Sequence, residues 1–124
     1  MNNLQNILIP KSEEDIINDL KKLNKKELNN SILSAIYSDN INIVKLILTY
    51  SKPDSTYQDN DGWTVLFSAC VKSSIEIIKL LLNYGFDINT KTYQGNTILM
   101  LIKSNEDLCQ NKELIEFLIN NGAK

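Results

Sequence analysis

Residues 59–91 read DNDGWTVLFSACVKSSIEIIKLLLNYGFDINTK, and their landmarks return downstream at a fixed distance. Gly95, Thr97 and Leu99 stand 33 residues beyond Gly62, Thr64 and Leu66. A period in the range of roughly 20–50 residues points to stacked supersecondary units rather than one globular core. At 124 residues the chain is expected to be one compact unit with a continuous core, too short for two domains.

In the central unit, Gly62 and Trp63 lead into Thr64, and residues 65–71 follow as a short apolar helix. Thr64 suits its N-cap, because a hydroxyl there accepts from backbone N–H groups one turn on. Polar residues 72–74 break the run. Ser73 and Glu76 have the spacing of a capping box, opening a second helix through Asn83. Its Ile75, Ile77, Ile78, Leu80, Leu81 and Leu82 are too many for a narrow stripe, so this helix is expected to be sandwiched between neighbours. Gly85 follows the last turn, where a left-handed residue ends the helix. Residues 86–94 are turn-rich and extended.

This helix–turn–helix–hairpin unit resembles the ankyrin repeat. The matching landmarks are Asp59, Gly62, Thr64, Leu66 and Ala69, then Ile77, Ile78, Leu80, Leu81 and Leu82, then Gly85, Asp87 and Asn89. The family's Thr-Pro-Leu-His becomes Thr64-Val65-Leu66-Phe67 here, losing the helix-starting proline and the histidine that links adjacent repeats. Packing between repeats is therefore expected to rest more on apolar contact than on that polar relay.

The resemblance extends over residues 25–124. In the preceding unit, residues 25–58, Ala35 aligns with Ala69, Ile43-Val44 with Ile77-Ile78, and Leu46-Ile47-Leu48 with Leu80-Leu81-Leu82. That unit is one residue longer, has no Gly-x-Thr start and no closing glycine, so altered turns are expected at both ends. The unit at 92–124 starts with Gly95-Asn96-Thr97, carries a polar insertion of about four residues within 104–111, and recovers at Leu114. Ahead of the repeats, Ser12 can N-cap a helix through Leu23, with Asp15 at the capping-box position and Ile16, Ile17, Leu20 and Leu23 on one face. Residues 12–24 read as an N-terminal cap over the first repeat's core, or as the remnant of a degenerate fourth repeat, since a solenoid end exposes a repeat-sized apolar face. The resemblance thus implies an all-α ankyrin-repeat solenoid of helix–turn–helix units joined by hairpin loops.

The composition limits the chemistry. All thirteen basic residues are lysine, and arginine and histidine are absent. No side chain therefore titrates naturally near neutrality, no imidazole can bind a metal, and the usual bidentate reader of phosphate or guanine is missing. A formal charge of −2 gives no reason to expect nucleic acid or an anionic membrane as partner. The acidic run Glu13-Glu14-Asp15 suits a first helical turn. Asp59-Asn60-Asp61-Gly62 has the opening of a calcium loop, but the glutamate expected downstream is replaced by apolar helix. The family resemblance instead has Asp59 hydrogen-bonding within its hairpin and Gly62 supplying a positive-φ turn. No catalytic residue, cofactor or metal is expected.

Cys70 falls on an apolar helix face and Cys109 in a polar stretch, a pattern of reduced cysteines rather than a disulfide framework. The apolar stretch from Leu4 to Ile9 is too short for a signal peptide, and no run approaches the ~20 apolar residues of a membrane span. A cytoplasmic location is expected.

What remains is a surface. By resemblance, a protein partner binds the concave side, made of hairpin tips and the exposed faces of the first helices. The tips offer Tyr57, Asn60, Asp61 and Trp63, then Lys91, Tyr93, Gln94 and Asn96. The helices offer Tyr37, Ser38, Val71, Lys72, Ser104 and Asn105. Trp63 and Tyr93 lead as anchors, because such side chains bury much area while keeping a polar group for hydrogen bonding. Tyr50 and Tyr84 close second helices and read as structural. The expected role is a non-catalytic protein-binding module, monomeric, with an inhibitor or immunity-type protein that blocks a toxin or enzyme as one form. The alternative is self-association through the C-terminal end around Phe117 and Ile119.

Overall fold

The computed structural model describes residues 12–124, so the stretch from Leu4 to Ile9 lies outside the described residues. The elements run α1 (Glu13–Lys21), α2 (Lys25–Tyr37), α3 (Ile41–Leu46), a π-helical turn (Ile47–Ser51), α4 (Val65–Val71), α5 (Ile75–Tyr84), α6 (Ile98–Ser104), a 3₁₀ turn (Leu108–Gln110) and α7 (Lys112–Asn120). The described residues contain no β-strand, and the fold is an all-α stack of helical hairpins. First helices α2, α4 and α6 pack side by side, and α3 packs on α5. Between these rows lie Ile36, Val44, Ile47, Leu66, Cys70, Ile77, Ile78, Leu81, Ile102 and Leu118, all buried.

Helix α1 begins as its sequence requires. Ser12 Oγ accepts from the Asp15 amide at 3.2 Å, and three acidic residues occupy the first turn. It ends at Lys21, short of Leu23, and packs on the π-helical turn with Leu20 buried. In α2, Asn24 and Glu27 form a reciprocal capping box. The register of Ala35 with Ala69 pairs Val65, the first residue of α4, with Ser31. Helix α2 nonetheless starts at Lys25, so extra helix stands where the other units have a Gly-x-Thr hairpin.

The additional residue of the first unit is absorbed inside a helix. Leu48 corresponds to Leu82 at a distance of 34 residues and Lys52 to Gly85 at 33, so the surplus lies between them. There α3 widens into the π-helical turn, which accommodates one inserted residue without shifting what precedes it. Lys52 then ends it in the left-handed region, at φ 46°, in place of glycine.

Two expected caps are corrected. The N-cap of α5 is Ser74, not Ser73, and no capping-box bond forms there. Ser73 is committed to the end of α4: at φ 57° it sends its amide to Cys70 O, while the Ser74 amide reaches Ala69 O. This is a Schellman closure, and Asp39 and Asn40 repeat it on Ile36 and Ala35 at the end of α2. Thr64 occupies the N-cap of α4, but its hydroxyl makes no capping bond. Thr97, its counterpart, does both: it accepts from the Met100 amide at 3.3 Å and donates to Lys124 O at 2.8 Å.

The insertion is ordered by its own bonds. Asn105 Oδ1 accepts from the amides of Asp107 and Leu108, each at 3.0 Å, and Asn111 caps α7 through the Leu114 amide. Asn111 Nδ2 also donates to Ser73 Oγ at 3.0 Å, as Ser74 Oγ does to Asp39 Oδ1 at 3.3 Å. Polar links between repeats thus run along the loop edges, while the space between helices is apolar.

Candidate functional site

Each hairpin tip is closed by its own backbone. Asp59 N donates to Trp63 O at 2.9 Å, and Asp59 Oδ1 accepts from the amides of Asp61 and Trp63, both at 2.9 Å. In the next repeat Thr92 takes that place, its Oγ1 accepting from the Asn96 amide at 3.1 Å. The two tips are joined: Tyr93 N donates to Asp61 O at 3.3 Å, and Gln58 Nε2 reaches both Gly62 O and Lys91 O. Gly62 sits at this junction with φ 92°, where a Cβ would lie 2.5 Å from Tyr93 N. Both the conformation and the close approach require glycine.

From these tips, three registers run down the first helices at four-residue spacing, one turn apart. They are Asn29, Leu33 and Tyr37; Trp63, Phe67 and Val71; and Asn96, Met100 and Ser104. Tyr37 and Val71 are exposed, with Met100, and Trp63, Phe67 and Leu33 are half-buried. The Trp63 and Phe67 rings stack, with centroids 4.1 Å apart and planes 21° from parallel. Tyr37, Leu33 and Asn29 of α2 line a cleft of about 220 Å³ with Trp63, Phe67 and Asp59.

The expected site residues divide by place. Trp63 and Tyr37 meet in that cleft. Tyr93, at 67% the most open of the large exposed hydrophobic residues, projects at the neighbouring tip. Asn60, Asp61, Lys91 and Gln94 are exposed on the tips, and Asn96 is half-buried. Lys72 is exposed at the end of α4. Ser104 Oγ bonds back to Leu101 O, and the Asn105 side chain caps the insertion. Tyr57 lies elsewhere, beside Leu28, Pro53 and Phe86 in a recess of about 10 Å³. Tyr84 donates its hydroxyl to Pro53 O, and burial raises its pKa; Tyr50 is exposed. Leu33, Phe67 and Met100 were not among the expected residues. Their signal is the shared register, one per repeat, four residues beyond Asn29, Trp63 and Asn96.

The two cysteines are free, and burial pushes the Cys70 thiol up to about 12. Among the described residues no helix is long and apolar enough to cross a membrane.

Comparison with known proteins meets this geometry. The family model described as ankyrin repeats, three copies, matches residues 3–92 and 32–124. An ankyrin repeat protein of Fowlpox virus (strain NVSL) is 31% identical over 115 residues, covering 86% of this chain and 32% of the relative. One from Acanthamoeba polyphaga mimivirus is 41% identical over 59 residues, covering 44% of this chain and 10% of the relative. The chain therefore spans a third or less of the curated relatives it matches. Ankyrin repeats generally mediate protein–protein interaction and are typically non-catalytic. With helical hairpins stacked in register, glycine-turned tips and a family match across its length, the chain belongs to the ankyrin-repeat family.

Proposed function

We propose that this chain is a non-catalytic module that binds a protein partner along the groove formed by the hairpin tips and the exposed faces of α2, α4 and α6. The observation that carries this reading is one apolar register on the first helices, in which Tyr37, Val71 and Met100 are exposed and Trp63 and Phe67 are half-buried against the core. Aromatic anchors ringed by polar residues match the composition of binding hot spots. Asn60, Asp61, Gln94 and Lys91 supply that polar rim. The binder acts by occlusion, and blocking an enzyme is its simplest consequence. Two unpaired cysteines suit a reducing compartment such as the cytoplasm.

The test is affinity capture with wild-type protein beside a Trp63→Ala, Tyr93→Ala double variant of matched helicity. Loss of a partner by the variant supports the groove; equal recovery contradicts it. One observation favours a second reading. Ile78 is fully buried, whereas its counterpart Ile115 is half-buried and Ile119 is 47% exposed. Self-association through α7 would give a light-scattering mass that rises with concentration and falls back on Ile119→Asn.

A further inference from the structure

We propose that the cleft between α2 and α4 receives the lysine or arginine side chain of a partner segment, its cation held against the aromatic rings and balanced by Asp59. This rests on the proposed groove and names what enters it. Three aromatic residues, Tyr37, Trp63 and Phe67, line one recess, and Asp59 belongs to the same lining. Ring faces attract cations through their quadrupole, most strongly where water is excluded. The Trp63 and Phe67 rings are stacked and half-buried, and both residues line the cleft.

The carboxylate is fixed as well. Asp59 Oδ1 is spent on the amides of Asp61 and Trp63, which sets the side chain's direction. Its Oδ2 takes no hydrogen bond among the described residues and is left for a charged donor. Among the described residues no lysine lines the cleft. Lys72 and Lys91 do not line the cleft, and the one lysine over a ring among the described residues is Lys79, 5.9 Å from the Phe117 centroid. At about 220 Å³ the recess is below the roughly 300–1,000 Å³ of small-molecule pockets. It suits one inserted side chain rather than a free ligand.

The experiment is selection of a random displayed peptide library on the whole protein, followed by titration of synthetic copies. Binding is read from the fluorescence of Trp63, the only tryptophan in the chain. The expected result is enrichment of lysine or arginine at one position. Replacing that residue by uncharged norleucine should weaken binding about tenfold. Exchanging lysine for arginine tells which cation fits better. Asp59→Asn, which keeps the Oδ1 acceptor and removes the charge, and Tyr37→Ala, which leaves the tip untouched, should each weaken it comparably. Peptides that shift Trp63 fluorescence but tolerate norleucine would overturn the cation site while leaving the groove as the binding surface. Peptides insensitive to Tyr37→Ala but lost on Ile119→Asn would overturn both. A selection that yields no binder also contradicts the proposal.

Discussion

The Trp63 ring lies 4.1 Å from that of Phe67, nearly parallel to it, so a hairpin tip is fastened to the first turn of α4. In the ankyrin pattern the Phe67 position carries a histidine that links adjacent repeats. Here an aromatic ring turns towards its own tip instead. The exchange removes a polar relay and creates a rigid apolar platform at the cleft.

That platform should be measurable as energy. A double-mutant cycle of Trp63→Ala and Phe67→Ala, followed by urea unfolding, is expected to give a coupling of about 0.5–1.5 kcal/mol, typical of aromatic pairs. Additive single effects would mean that the rings are independent in solution.

Gly62 and Gly95 share a positive φ, 92° and 85°, but not their surroundings. Nothing lies within 4 Å of a Cβ built on Gly95, whereas backbone atoms of Thr92 and Tyr93 crowd one on Gly62. Gly95→Ala should cost about 1–2 kcal/mol, the left-handed penalty alone. Gly62→Ala should cost clearly more, because two tips must separate. Thermal unfolding of both variants gives the comparison, and equal losses would contradict the close approach.

Most of the fold was legible because its determinants are periodic. The Leu80-Leu81-Leu82 run, the Gly62 turn and the four-residue insertion follow from counting residues. Ser73 was misread because a serine before a helix also ends the one before it, and a sequence does not say which closure wins. The extra residue of the first unit was visible, but a single surplus residue fits into a loop or a π-helical turn equally well. Phe67, Leu33 and Met100 are not assigned to the binding surface by sequence, because an apolar residue on a short helix reads as core until the packing direction is known.

Asp54 carries a pH signature. Its carboxyl is lowered from the ordinary 3.8 to about 2, chiefly by the Thr56 hydroxyl and amide, with Lys25 adding to them. Lys25 Nζ stands 3.1 Å from Asp54 Oδ2. A carboxyl depressed on folding stabilises the native state above its unfolded pKa, and that contribution fades as pH falls through the folded value. Wild type should therefore exceed Asp54→Asn in stability at neutral pH, with the gap closing between about pH 4 and 2. A gap that is constant with pH would contradict the shift.

The thiols should separate by reactivity. Cys109 is exposed, and Cys70 is buried with its pKa pushed up to about 12. At mildly alkaline pH a thiol reagent is expected to modify Cys109 in the native protein and Cys70 only after denaturation, since the thiolate is the reactive form. Mass spectrometry of the labelled peptides reads this directly. Native labelling of Cys70 at its denatured rate would show that the α4–α5 core opens.

The most direct test of groove binding is an amide-resolved NMR titration of the protein with its captured partner. The expected shifts fall on Asn29, Tyr37, Trp63, Phe67, Val71 and Met100, with the Trp63 indole among the largest. Shifts confined to Ile115, Ile119 and the rest of α7, with the Trp63 indole unmoved, would contradict it.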